Sequence, residues 1–182
     1  MEITSKQVLK GLNVLSWIIF IGVCVRTGGY IFNTIFLLTT NPFGAHYFWE
    51  GADLSRLLAF DQGYFIVMAL LMIIVSVMKA LLFYCIIKIL HDKKLNMDKP
   101  FNKEISSLIF SLSYISMAIG LFSGWAAGYS EWFIKKGVLM PSLESMHVDG
   151  NGAWWFIAII LFVIGHIFKR GIEIQAENEL TV

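Results

Sequence analysis

Four stretches of this chain are too long and too apolar to be kept in water. They run over about 8–38, 62–90, 105–129 and 152–168. A helix needs about 20 apolar residues to cross a hydrocarbon core roughly 30 Å thick. Lipid offers no partners for free backbone groups, so each stretch is expected to be helical. The fourth is the shortest, and Trp154 and Trp155 at its start are expected in the headgroup zone. Composition points the same way. Only 15% of the residues are charged and 57% are hydrophobic, whereas soluble domains carry about 25% charge. The expected fold class is therefore all-α: one polytopic membrane domain, residues 1–182, built as a bundle of four transmembrane helices.

The first stretch follows Lys6 and Lys10, as a signal peptide would, but no small-x-small cleavage site follows and the apolar run is too long. The segment Ile21-Gly22-Val23-Cys24 lacks the small residue that a lipoprotein box needs before its cysteine. An uncleaved first span is the reading taken. Cations then set the orientation. Lys6, Lys10, Lys88, Lys93, Lys94, Lys99, Lys103, Lys169 and Arg170 fall on one side, and Arg56, Lys135 and Lys136 on the other. By the positive-inside rule both termini are cytoplasmic. The segments 39–61 and 130–151 become outer loops, and their aromatics (Phe43, Phe48, Trp49, Trp132) suggest loops lying on the membrane surface. In the inner connection, Pro100 stops the second span and Asn102 is placed to cap the third.

Span three carries Ser116, Gly120, Gly124 and Gly128 at successive i+4 steps, one small-residue stripe down a helix. Helices in lipid gain little from hydrophobicity, so close backbone approach is what holds them together. Packing inside the bundle is the favoured use of the stripe, and homodimerisation through it is the alternative. Ser106, Ser107, Ser111, Ser113 and Tyr114 make this the most polar span.

Arg26 and Lys79 lie inside spans one and two, where a cation costs about 2.5–3.5 kcal/mol on insertion scales. Counting along each span puts Arg26 toward the outer half and Lys79 toward the cytoplasmic half, roughly 10 Å apart in depth. On that count they do not form one site. Snorkelling to the nearer interface is the simplest account of Lys79. Arg26 is the better functional candidate. Thr27, Gly28 and Gly29 follow it, Asn33 lies two turns on, and Glu50, Asp53 or Asp61 of the first outer loop are in reach to fold in. Arg26, Asn33 and Lys79 are thus the candidate residues for an anionic headgroup or small ligand.

Other chemistries find little support. Net charge is +1, with no basic face or nucleic-acid motif, so no direct nucleic-acid binding is expected. His166 is the single histidine inside a span, whereas bis-histidine haem ligation needs two. No paired metal ligands, phosphate-binding glycine loop or nucleophile elbow occurs. Cys24 and Cys85 sit in apolar runs and read as buried small hydrophobes. No cofactor and no enzymatic activity are expected.

The chain ends in FKRGIEIQAENELTV, residues 168–182. Three glutamates outweigh two cations, so this is no polybasic lipid clamp. Ile172, Ile174, Leu180 and Val182 give it apolar anchors that a pure solubiliser does not need. They suit packing beneath the bundle or docking a cytosolic partner. This tail, and DKPFNKE before span three, resemble a widespread bacterial family of four-span membrane proteins known only as a domain of unknown function. The resemblance implies a bacterial inner (cytoplasmic) membrane location. It also implies genes that often neighbour small helix-turn-helix regulators, and it supplies no catalytic residues. The expectation is a regulatory or scaffold protein that contacts a cytosolic partner through its inner loop (93–104) and tail. The alternative is a lipid- or anion-binding, transport-related protein with its site near Arg26.

Overall fold

A computed structural model describes residues 5–39, 48–91 and 102–179. In order they form α1 (Ser5–Thr39), a 3-10 turn (Trp49–Gly51), α2 (Ser55–Phe60), α3 (Gln62–His91), α4 (Lys103–Lys135) and α5 (Asn151–Glu179). Four of these helices are long and apolar enough to cross a membrane, and the chain is a multi-pass membrane protein. The first two spans match their apolar stretches to within a few residues. The third and fourth outrun theirs: α4 continues to Lys135 and α5 to Glu179.

Those overruns have a local cause. Hydropathy marks where lipid ends, whereas a helix ends where caps and breakers stop it. Asn102 starts α4 as a true cap, its side-chain oxygen accepting from the Ile105 N–H at 2.8 Å. Gly137, with φ of 81°, follows its last turn. Beyond Phe168, residues 169–179 include three Glu, Gln175 and Ala176, good helix formers, and no proline.

Neighbouring helices run antiparallel, and they pack in chain order: α1 on α3, α3 on α4, α4 on α5. Among the described residues α1 and α5 make no close backbone approach, so the bundle stays open along one side. α1 meets α3 through a narrow seam, with Ser16, Val23, Thr27, Tyr30, Thr34 and Leu37 buried. Its other faces carry exposed apolar side chains such as Ile18 and Phe32, as a lipid contact requires. α4 is crowded from both sides, which explains its small residues. Ser113, Ser116, Gly120, Ser123, Ala126 and Ser130 are all buried on it.

The core is displaced toward one end. Tyr30, Phe65, Met68, Met72, Ile119, Ala126 and Phe133 form it together with Phe48, Leu54, Leu57, Met146 and Val148 from the connecting segments. The described parts of those segments tuck apolar side chains into the bundle, whereas Trp132 stays exposed and Phe43 lies outside the described residues. We call this the loop end. The opposite end, where the chain starts and finishes, is the terminal end.

Candidate functional site

The site begins with a glycine. A Cβ on Gly29 would fall inside the indole of Trp49. Only a bare backbone lets the 3-10 turn lie against α1, and that contact delivers the next residue, Glu50, to Arg26. The Arg26 Nε donates to Glu50 Oε2 at 2.8 Å, and His147 Nε2 lies 2.6 Å from the same oxygen. His147 also faces the other way through its backbone: its carbonyl accepts from Lys79 Nζ at 2.9 Å. The Lys79 ammonium sits 5.7 Å above the Trp154 ring, a cation–π distance. Three long helices (α1, α3 and α5) and both connecting segments thus converge on one polar cluster.

The backbone here is bent to purpose. Glu50 (φ 60°) and His147 (φ 53°) are the two non-glycine residues with left-handed φ among those described. Each such conformation costs on the order of 1–2 kcal/mol, so surrounding contacts must hold it. Met146 and Val148, both buried, anchor the chain on either side of His147. The buried Tyr30 hydroxyl points to the Met146 carbonyl at 3.5 Å, the outer limit of a hydrogen bond.

The cluster overturns the separate depths read for Arg26 and Lys79. Thr27 Oγ1 and Ser76 Oγ are hydrogen-bonded at 2.7 Å, which fixes the register of α1 against α3. Arg26 lies one residue below that level and Lys79 three residues below it. They differ by about 3 Å in depth at ~1.5 Å per residue. Counting from the edges of apolar runs failed because the connecting segment descends into the bundle, so Lys79 reaches toward the loop end. Asn33, grouped with Arg26 by sequence, instead donates back to the Gly29 carbonyl of its own turn at 2.9 Å. Of the three carboxylates in reach, Glu50 is the partner. Asp53 accepts from the Ser55 N–H and Asp61 from the Tyr64 N–H. His147 carried no sequence signal beyond its place before the Asp149-Gly150 turn.

Arg26, Glu50 and His147 are about one-third exposed at their side chains. Water therefore screens the ion pairs, and their chemistry is that of a latch between loops and helices.

The small-residue stripe of α4 is used unevenly. Gly120 lies against Trp155, where a Cβ would come within 3.0 Å of the ring, and Gly124 against Asn151. Between these levels and the terminal end, Ser113 Oγ donates to the Ala158 carbonyl at 2.8 Å. Gly128 has nothing within 4 Å of a built Cβ. Ser116 is fully buried beside them. Cys24 is exposed, not buried as read from sequence. It lies on an apolar groove between α1 and α3 with Gly28 and Ala80.

At the terminal end the tail is a continuation of α5. Ile172 is half-buried and Ile174 exposed. Arg170 pairs with Glu173 at 2.9 Å. Leu180 and Val182, and residues 93–101 of the inner loop, lie outside the described residues. A family model described as a protein of unknown function, DUF2975, matches residues 37–182, which includes Glu50, Lys79 and His147 but not Arg26. No curated protein and no solved structure matches the chain.

Proposed function

We propose a role for this chain, which belongs to the DUF2975 family of unknown function, as a membrane-anchored regulatory or scaffold protein. In this reading the emerged end of α5 is presented to a cytosolic partner. One observation carries it. α5 has 29 residues without a break, about 43 Å of helix at ~1.5 Å per residue, against a hydrocarbon core of roughly 30 Å. Its last turns stand clear of the acyl chains as a charged helical arm, with Ile174 exposed on it. A helix of this kind offers an apolar contact at fixed height above the membrane, which a disordered stub does not. The family resemblance makes a small helix-turn-helix regulator the first partner to try, and the lysine-rich terminal end supports a cytoplasmic placement.

Co-purification of such a regulator with the full chain, and with a chain ending at Gly171, tests this. Loss of the regulator on truncation, with membrane insertion retained, is the expected result; equal recovery overturns the reading. A second reading, an anionic small molecule held at the loop end, is favoured by the convergence of Arg26 and Lys79 on one cluster. Arg26→Leu separates the two, since it strikes the cluster and leaves the arm of α5 untouched.

A further inference from the structure

Two grooves flank the first turns of α4 at the terminal end. One, of about 390 Å³ between α3 and α4, is lined by Lys88, Lys103, Glu104, Ser107 and Ser111 above the apolar Ile89 and Leu108. The other, of about 410 Å³ between α4 and α5, is lined by Lys103, Ser106, Ser107, Lys169 and Glu173, with Phe110 and Ile172. Both volumes fall within the roughly 300–1,000 Å³ of small-ligand sites. Lys103 and Ser107 belong to both grooves.

We propose that this pair of grooves binds one anionic lipid carrying two phosphodiester groups, a phosphate in each groove and Lys103 between them. Three features of the site select that ligand. The first is depth. Lys88 is in the last turn of α3, Lys103 opens α4, and Lys169 directly follows the apolar part of α5, so the three ammonium groups ring the level of lipid phosphates. The second is charge. Among the described residues Lys88, Lys103 and Lys169 line the grooves with Glu104 and Glu173, and Arg170, just outside them, pairs with Glu173, which together leaves +2. Glu173 is engaged by Arg170, which draws its charge away from Lys169. Two phosphodiesters supply the matching −2. The third is the surroundings. Serine hydroxyls and the positive end of α4 suit phosphate oxygens, and the apolar floor of each groove runs on into helix faces already exposed to acyl chains. Basic pockets between spans recognise anionic headgroups in this way.

This site stands apart from the partner proposed above, because purified protein alone can test it. The protein is extracted into mild detergent, offered in turn a four-chain diphosphate lipid, phosphatidylglycerol or inorganic pyrophosphate, and weighed intact by native mass spectrometry. One diphosphate lipid should be retained per chain. One cation near such a headgroup is worth about fivefold in affinity, so Lys88→Gln and Lys169→Gln should each weaken retention by about that factor. Lys103→Gln, which serves both grooves, should weaken it by at least about fivefold. Lys135→Gln, at the loop end, should leave it unchanged. Circular dichroism melting of the variants checks that they fold. Equal retention by Lys103→Gln overturns the site. Equal retention of phosphatidylglycerol overturns the pairing of two phosphates, and pyrophosphate binding without lipid retention overturns the lipid.

Discussion

The two ends of this molecule are built on opposite plans. At the loop end, side chains from every element interlock. Phe133 is fully buried and meets Tyr64, Tyr129, Trp132 and Phe60 at ring distances of 4.8–5.9 Å, and the Arg26–Glu50–His147 latch ties the two connecting segments together. At the terminal end the described parts of the same helices carry lysine-lined grooves and contribute nothing to that core cluster. A membrane protein need not distribute its stability evenly along its length. Here one end supplies the packing, which leaves the other free to be shaped for contact.

If that contrast holds, substitutions should sort by end. The largest loss is expected from Phe133→Ala, since removing a fully buried aromatic costs about 3–5 kcal/mol. Thermal unfolding in detergent should show it, and a change under 1 kcal/mol would break the comparison. Gly29→Ala comes next. Its Cβ must displace Trp49, an overpacking cost of about 1–3 kcal/mol, and limited proteolysis should then cut within 40–61 far faster. Glu50→Gln should cost about 1–2 kcal/mol, the scale of a charge-assisted hydrogen bond in a half-exposed setting. In a double-mutant cycle with His147→Ala the two losses should not add, because both remove one shared oxygen. Smallest is Gly128→Ala, which meets no neighbour and should stabilise α4 by up to about 1 kcal/mol through helix propensity. A loss there would mean that the stripe is covered by something else, such as a second copy.

Much of the architecture was legible in the residues because membrane solvation is a coarse and strong constraint. Four apolar runs gave four helices, and Asn102 gave the start of α4. The failures have a common source. Hydropathy says nothing about register, which Thr27 and Ser76 set by a single hydrogen bond between α1 and α3. It also says nothing about how far a connecting segment descends, which is why the meeting of Lys79 with the His147 carbonyl was not foreseen. Span four was bounded at Phe168 although α5 runs on to Glu179, because polarity marks the lipid boundary, whereas only a cap or a breaker marks the helix boundary. Glu50 and His147 adopt left-handed backbone without being glycine, so no turn signature announced them.

Because each long helix leans on the one made before it, the polypeptide can assemble in the order in which a ribosome delivers it. α3 can settle on α1, α4 on α3 and α5 on α4, none waiting for a segment not yet synthesised. The exceptions are contacts such as Glu50 with His147 and Tyr30 with Met146, which join parts of the chain about a hundred residues apart. They can close only after α4 has been made, so the loop end is locked late in assembly.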